Sequence, residues 1–497
     1  MSFEEFRDRA AHGGLVPVSR EVLLDVDTPI SAFVKLRRGP FAFLLESAPA
    51  GSETWSRYTF LGTDPVAAWK LTGSTVEDWS PGEGWHSARS PENPFLDLEM
   101  KLRELNPVPA PELGVFWSGA VGYIGYEAVA HMEASVPTHK SALPDALFMI
   151  TRALVVLDHL RSQARVIIGV PVDPGTEENE LRRLFLEAEA EIDAVLDRLR
   201  GPGATQPLTL DNNAAPVDAQ SSMTRDAFMA GVERIKEYIL AGDCFQVLLS
   251  RQLTVQHDFD GTDLYRALRA INPSPYMFHL LLDGIELVGS SPELLVRMTE
   301  SEVIVRPIAG TRPRGGSAEA DAQMEIELLN DAKEIAEHVM LLDLGRNDVG
   351  RVAEFGSVRA TQTMAVERYS HVLHMVSQIE GSRRKECGAS DVLRATFPAG
   401  TLTGAPKVRA MEIIWELETA ARGPYGGAVG YIAAGAQRLD LAITIRTCTI
   451  GNGTATVQAG AGIVADSIPE REWEETENKA RALLTAIGRV RAARVNT

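Results

Sequence analysis

The chain is interrupted once by a stretch that neither helix nor strand can absorb. Gly201-Pro-Gly-Ala-Thr-Gln-Pro is followed closely by Asp211-Asn-Asn-Ala-Ala-Pro, and Gly, Pro and Asn at this density end regular structure. Residues 201–222 therefore read as a linker or long surface loop, with one lobe over 1–205 and a second over 223–492. A length of 497 residues suits that division, because domains commonly hold about 100–200 residues. Before the break, 173–200 reads as a charged helix with Leu181, Leu184, Leu186, Ile192, Val195 and Leu199 assigned to one face. After it, Thr224 caps a helix carrying Phe228, Val232, Ile235 and Ile239, and Gly242 closes it. Strand-like runs follow at 244–255, 276–282, 286–289, 293–298 and 302–306, then a helical stretch over 318–344 interrupted at Asn330-Asp331. A helix starts after Pro406, strands return at 427–433, 440–449 and 454–459, and a last helix covers about 469–490. Strands in runs and helices in runs, without strict βαβ alternation, predict a mixed α+β architecture rich in antiparallel pairing. The hexapeptide Gly-Ala-Val-Gly-Tyr-Ile occurs at 119–124 and again at 427–432, a possible echo between the halves.

Charge narrows the partners. Asp plus Glu number 68 against 49 Lys plus Arg, a net charge of −19, which repels phosphate backbones and anionic headgroups. Neither nucleic acid nor a membrane surface is an expected partner, and an anionic substrate would need a local patch of Arg, Lys or metal. No run approaches the ~20 apolar residues of a membrane span, and Met1 to Arg9 does not read as a signal peptide. Cys244, Cys387 and Cys448 are too few and too scattered for a disulfide framework or zinc site. A reducing cytoplasm is expected.

Gly-x-Ser-x-Gly, His-Glu-x-x-His and Walker A motifs are absent. Gly460-Ala-Gly-Ile-Val-Ala465 matches a dinucleotide fingerprint only in letters, since Asp466, Ser467 and Pro469 separate it from the helix it should open. More telling are two carboxylate pairs at i, i+3. Glu334 and Glu337 share one helix face, with Ile335, Val339 and Leu342 on another, and Glu472 and Glu475 share a face with Lys479 one turn on. Either pair alone is an ordinary solvated face. Brought together, they would hold a hard cation such as Mg²⁺, which takes oxygen ligands and an anionic substrate. Phe397-Pro-Ala-Gly-Thr401-Leu-Thr403-Gly-Ala-Pro-Lys407 reads as a loop offering hydroxyls before a helix. Strand alternation through 441–447 places Arg446 on a face with Ala442, Thr444 and Cys448, with room for a carboxylate ligand.

Taken in order, these segments resemble the chorismate-utilising enzymes, and among them the large subunits of anthranilate synthases. The resemblance is strongest from Asp243 to Lys479, through Pro307 to Gly315, Leu341 to Val352, His371 to Gly381, Gly400 to Lys407 and Gln458 to Lys479. It implies two antiparallel sheets packed as a sandwich with flanking helices, in two interlocked lobes. It also implies Mg²⁺ held by Glu337 and Glu475, with Glu472 and Glu334 in support and Lys479 assisting at the ring carboxylate of chorismate. Arg446 and Tyr425 would hold the enolpyruvyl carboxylate. Gly310, Thr311, Thr401, Gly460, Ala461 and Gly462 would contact substrate, and His374 would be catalytic. Ammonia would add to the ring, and pyruvate would leave to give anthranilate. Relatives that add water carry lysine where this chain has Gln246, and aminodeoxychorismate synthases carry one at the position of Ala309. Those two residues favour anthranilate over aminodeoxychorismate or isochorismate as product. No cysteine here suits a glutaminase, so a separate glutamine amidotransferase subunit is implied. Leu44-Leu-Glu46-Ser47 and Asn272-Pro-Ser-Pro275-Tyr276-Met277 resemble the family's tryptophan feedback site.

Overall fold

The computed structural model describes residues 1–47, 57–203, 205–369 and 372–495; His371 lies outside them. Two antiparallel sheets organise it, and each is assembled from both lobes. In the first, Gly14–Leu23, Gln163–Val172, Ala153–Asp158, Tyr58–Thr63 and Phe41–Glu46 continue into Tyr276–Leu282, Ile285–Ser291, Thr447–Gly451, Thr454–Ile463 and Gln246–Gln256. In the second, Gly84–Arg89, Thr75–Ser80, Ala67–Thr72, Ala146–Ile150 and Gly119–Ile124 continue into Ala428–Ala433, Leu439–Ile443, Leu294–Met298, Glu302–Val305, Val372–Ser382 and Ile308–Pro313. The lobes are interlocked because their seams are ladders of backbone hydrogen bonds.

The seams explain two sequence features. In the second sheet the repeated hexapeptides lie side by side, with Gly122 opposite Gly430 and Val121 opposite Tyr431. A Cβ on Gly122 would stand 1.9 Å from the carbonyl oxygen of Leu147, on the strand along the other edge of Gly119–Ile124, so only glycine lets that neighbour close up. In the first sheet Glu46 stands opposite Met277, which brings the two expected feedback motifs onto neighbouring strands.

Apolar side chains fill three layers. Phe41, Phe43, Tyr123, Met149, Phe278 and Leu280 pack between the sheets. Helices Phe3–Arg9, Pro29–Leu36, Glu178–Arg200, Gly261–Ile271 and Pro469–Val495 contribute to the core on the first sheet's outer face. A third cluster joins the second sheet, beneath helices Pro94–Glu104 and Ala389–Thr396, to strands Gln246–Gln256 and Thr454–Ile463 of the first, beneath Arg225–Ala241 and Lys407–Leu417. Local signals act as expected at the helix ends. Thr224 accepts from the Ala227 amide, and Gly242 closes that helix with φ +85°. Asp331 ends Ala318–Asn330 and caps Ala332–Gly350 by accepting from the Lys333 and Glu334 amides. No helix among the described residues is long and apolar enough to cross a membrane.

Two expectations need correction. The charged helix starts at Glu178, and Leu186 is exposed. Leu186 lies five residues beyond Leu181, about 140° around the axis, so it leaves the face that Leu181, Ile192, Val195 and Leu199 bury. The run 440–449 is two strands, Leu439–Ile443 in the second sheet and Thr447–Gly451 in the first. Between them the chain crosses from sheet to sheet, and Arg446 takes a left-handed backbone at φ +49°. Alternation along one strand therefore does not describe where Arg446 points.

Under the crossing lies a buried ionic knot. Arg422 donates from Nε and Nη2 to the Glu418 carboxylate at 2.8 and 2.7 Å, and from Nη1 to the Leu402 carbonyl at 2.7 Å. Glu418 also accepts from the Ser250 amide and hydroxyl, both at 2.8 Å. Removing one partner of such a pair leaves an uncompensated buried charge, at about 3–5 kcal/mol. Glu418→Ala should therefore lower unfolding free energy by about that amount, read as a lower urea midpoint at unchanged slope. Glu418→Ala/Arg422→Leu should lose less than the single change, because no naked cation remains.

Candidate active site

A cavity of about 780 Å³ opens between the two sheets' second-lobe ends and helices Ala332–Gly350 and Pro469–Val495. Its walls gather Glu334, Glu337, Glu472 and Glu475 from those helices, with Gly310, Thr311, His374, Thr401, Tyr425, Arg446, Gly460, Gly462 and Lys479. Residues more than 160 positions apart in sequence thus share one space. Ala461 is the exception: alternation along Thr454–Ile463 sends it into the core beneath.

The carboxylates face one another. Burial pushes the Glu337 carboxyl above its ordinary range, and the charges of Glu334 and Glu475 push it further. Burial and then Glu475 do the same to Glu472, against a hydrogen bond from Ser467. Two neighbours are partly neutralised, Glu334 by Arg312 at 3.0 Å and Glu475 by Lys479 at 2.7 Å. Among the described residues no three His, Cys, Asp or Glu side chains close around a common point. An all-oxygen donor set with mutual repulsion, and without a closed cage, fits a hard dication that shares its shell with water or an anionic ligand. The helix carrying Glu337 buries His338 and Leu341, while Val339, assigned with Ile335 and Leu342 to its apolar face, is exposed.

Cations share the cavity with the carboxylates. Arg446 makes no salt bridge among the described residues, and burial lowers its guanidinium pKa. Lys479 donates to the Gly460 carbonyl at 3.0 Å, and Lys333 and Arg471 complete the basic lining. This is the local patch that a chain of charge −19 needs to admit an anion. The glycines allow close approach: a Cβ on Gly460 would meet the Tyr425 hydroxyl at 3.1 Å, and one on Gly462 the Gln246 amide nitrogen at 2.7 Å. Gly310 sits at a bulge with φ +71°, where a Cβ would meet Leu328 at 2.9 Å.

His374 lies on strand Val372–Ser382, with Nδ1 3.3 Å from the Gly310 carbonyl and 3.1 Å from the Thr311 hydroxyl. A carbonyl only accepts, so Nδ1 carries the proton, and the buried Nε2, which has no hydrogen-bond partner among the described residues, is left as a base. Burial, with Arg446 nearby, pulls the imidazolium pKa down to about 4, so the ring is neutral near pH 7.

Sequence reasoning did not find Glu293. It follows Ser291-Pro292, an ordinary turn signal between Ile285–Ser291 and Leu294–Met298. Folding buries it in the cavity wall, where it accepts from the Thr401 hydroxyl at 3.1 Å and the Ile308 amide at 3.4 Å. Burial pushes its pKa up to about 8, despite Lys479 and Arg446. Glu293 is thus a carboxylic acid at neutral pH, facing the same space as the neutral base His374. Gln246 is also buried in the wall, its Oε1 without a hydrogen-bond partner among the described residues, and Ala309 belongs to the same lining. Where relatives carry lysines, this cavity has neither.

A second cavity, about 490 Å³, lies at the lobe seam and is lined by Glu46, Ser47, Pro275, Tyr276 and Met277. All five expected feedback residues meet there. Glu46 is buried and accepts from the Tyr265 hydroxyl at 2.7 Å and Arg269 at 2.6 Å. Asn272, Pro273 and Ser274, immediately upstream, line the first cavity.

Comparisons with known proteins agree with this geometry. The family model for chorismate binding enzymes matches residues 43–485. Anthranilate synthase component 1 of Pseudomonas putida is 46% identical over 98% of both chains, and that of Acetivibrio thermocellus is 43% identical over the same share. The crystal structure of anthranilate synthase component I from Streptococcus pneumoniae superposes with a TM-score of 0.76 at 35% identity, covering 87% of this chain and 93% of that one. The menaquinone-specific isochorismate synthase of Escherichia coli shares the fold at a TM-score of 0.71 and 18% identity, over 98% of each chain. With a cavity built from the matched segments and relatives alike along their whole length, this chain belongs to the chorismate-binding enzyme family, beside the anthranilate synthase component 1 proteins.

Proposed function

We propose that the chain is the large subunit of an anthranilate synthase, converting chorismate and ammonia to anthranilate and pyruvate. The observation that carries this reading is one cavity that holds both a carboxylate cluster and a desolvated Arg446 with no salt bridge among the described residues. A dianionic substrate fits between them, one carboxylate toward a dication and the other toward Arg446 and the Tyr425 hydroxyl. Mg²⁺ held by Glu337 and Glu475, with Glu472 beside them, would neutralise the ring carboxylate. Arg446 orients the enolpyruvyl carboxylate through paired N–H donors. Glu293 protonates the leaving 4-hydroxyl as the ring double bonds shift. Gln246 Oε1 accepts a hydrogen bond from ammonia, orienting its lone pair at the ring carbon next to the carboxylate-bearing one. Nε2 of His374 then removes the proton from the aminated carbon, and pyruvate leaves as the ring becomes aromatic. The bound dianion raises the His374 pKa by simple attraction, so the base strengthens once substrate is present. Glutamine-derived ammonia would come from a separate amidotransferase subunit. The setting would be the cytoplasm, where Cys244, Cys387 and Cys448 stay reduced. We assign tryptophan to the second cavity. Segment 272–277 lines both cavities, so an occupant of one bears on the other.

The direct test is fluorescence of anthranilate formed from chorismate, MgCl₂ and ammonium. Isochorismate or aminodeoxychorismate as the main product at saturating ammonium would overturn the reading. So would a covalent chorismate adduct in intact-mass spectrometry, since Ala309 offers no nucleophile. Glu337→Gln or Glu475→Gln should abolish Mg²⁺-dependent turnover while the melting temperature changes little.

A pH profile tests the acid. Glu293 is active while protonated, so kcat/KM should fall as pH rises through about 8, and fall at the acid end as His374 becomes charged. Glu293→Gln should lower kcat by roughly 10² or more and remove the alkaline limb. An alkaline limb that survives in Glu293→Gln belongs to another group.

Regulation has its own readout. Ser47→Ala or Met277→Ala should weaken inhibition by tryptophan with little change in the uninhibited rate, because a distinct site makes its own contacts. Equal loss of chorismate and tryptophan affinity would mean one shared site.

A further inference from the structure

A smaller cavity, about 40 Å³, shares Glu293, Leu341 and Thr401 with the catalytic one. Leu295, Val305, Leu344 and Ile443 make much of its wall apolar, while Arg306, Asp348 and Thr396 add polar groups. A water molecule occupies about 30 Å³ of liquid and needs two to four polar partners. The space therefore accommodates water, with Glu293 and Asp348 both on its wall.

Asp348 has no part in the catalytic cavity, yet it is buried on this one. Lys407 donates to its Oδ2 at 2.8 Å and to the Thr396 carbonyl at 3.4 Å. Arg351 is the other charge facing Asp348, and Arg446 and Lys479 are those facing Glu293. The Asp348 and Lys407 side chains retain 9% and 13% exposure, so this pair keeps some contact with solvent while Asp348 shares the small cavity with Glu293. The pair matters because a general acid must regain its proton before each new turnover, and the catalytic cavity is filled by substrate and product.

We propose that Asp348, through water in the small cavity, returns to Glu293 the proton it gives up in each turnover. The proposal rests on the reading of Glu293 as the acid. In the forward step the Glu293 O–H bond breaks, its proton passes to the 4-hydroxyl oxygen, and the C–O bond breaks with its electron pair to release water. Glu293 is left a carboxylate. It takes a proton from cavity water, that water takes one from Asp348, and Asp348 takes one from solvent. The added ammonia, an ammonium once bonded to carbon, releases one proton to solvent, so the cycle balances. Asp348 is a positioning residue in this scheme, since it never touches substrate.

The test separates the first turnover from later ones in the full-length chain, using chorismate, MgCl₂ and saturating ammonium at pH 7.5 in rapid-quench experiments. Asp348→Asn/Lys407→Gln keeps a neutral hydrogen-bonded pair of similar volume. Ala399→Val narrows the small cavity without touching either acid. In each variant the first turnover should keep the wild-type rate within about twofold. Steady-state kcat should fall by roughly tenfold or more, giving a burst of one anthranilate per site that the wild type lacks. A purely structural role slows both phases together. That result, or unchanged kcat in both variants, overturns the relay. If Asp348→Asn/Lys407→Gln does not fold, Ala399→Val alone decides. A wild type that forms no anthranilate refutes the functional reading instead.

Discussion

The ion pair between Arg422 and Glu418 is the constraint on which the catalytic cavity depends. Six hydrogen bonds tie down these two side chains: one each to the Leu248 and Leu402 carbonyls, one each from the Ser250 amide and hydroxyl, and two to each other. Leu248, Leu402 and Tyr425 all line the cavity, so the knot fixes three walls at once. The Arg422 and Gly423 amides donate to Glu127 at 2.7 and 2.9 Å, tying in the first lobe. A buried pair of this kind is weak evidence for net stability, because desolvation offsets much of its attraction. Its physical contribution here is position: every donor and acceptor at the knot has one place to go. The chain that follows reaches the crossing at 444–446 from a fixed starting point, and the crossing sets Arg446.

Sharing both sheets between lobes has a consequence for communication. A pair of independent domains joined by a linker moves by hinge bending, but here rotation of one lobe must shear ladders at Phe41–Glu46 with Tyr276–Leu282 and at Gly119–Ile124 with Ala428–Ala433. The second cavity sits on these seams, with Tyr276, Met277 and Tyr431 in its wall. Tyr276 faces Arg297, which is paired with Asp440 at 2.7 Å, on the strand next to Ala428–Ala433. An occupant of this cavity would therefore touch strands of both sheets, next in sequence to Asn272, Pro273 and Ser274 in the first cavity's wall. Ser290 anchors that stretch physically: its hydroxyl donates to the Asn272 carbonyl, and its amide donates to the Arg446 carbonyl at 3.1 Å.

Much of this was legible in the residues, for reasons that differ by element. Helix ends marked by Thr224, Gly242 and Asp331 were readable because caps are local chemistry. The two carboxylate pairs were readable as pairs, but their meeting was not, since helices Ala332–Gly350 and Pro469–Val495 are joined only by tertiary packing; the family resemblance supplied it. Arg446 was read as a ligand but placed on a continuous strand, because alternating apolar residues at 441, 443 and 445 mask a change of sheet. Leu186 misled through composition, being apolar yet outside the buried stripe. Glu293 left no trace at all. A glutamate after Ser-Pro is the commonest kind of surface turn, and its burial is created by Thr401, Ile308 and Arg446, which lie far along the chain.

Glu293 also shows how a neutral acid persists beside cations. Arg446 and Lys479 both favour its ionised form, and either at contact distance would hold it as a carboxylate. Neither is at contact distance: Lys479 is engaged by Glu475 and the Gly460 carbonyl, and Arg446 makes no salt bridge among the described residues. The hydrogen bonds Glu293 does receive, from a hydroxyl and a long amide contact, are weak stabilisers of charge compared with a guanidinium. Desolvation therefore wins, and the acid stays protonated near pH 7. Binding a dianion reinforces that outcome. A carboxylate on Arg446 cancels the cation that opposes protonation, and the added negative charge raises the Glu293 pKa further. On the proposed mechanism the substrate would thus keep Glu293 protonated for its own reaction, and the free enzyme would be spared a buried ion pair that must be broken in every cycle.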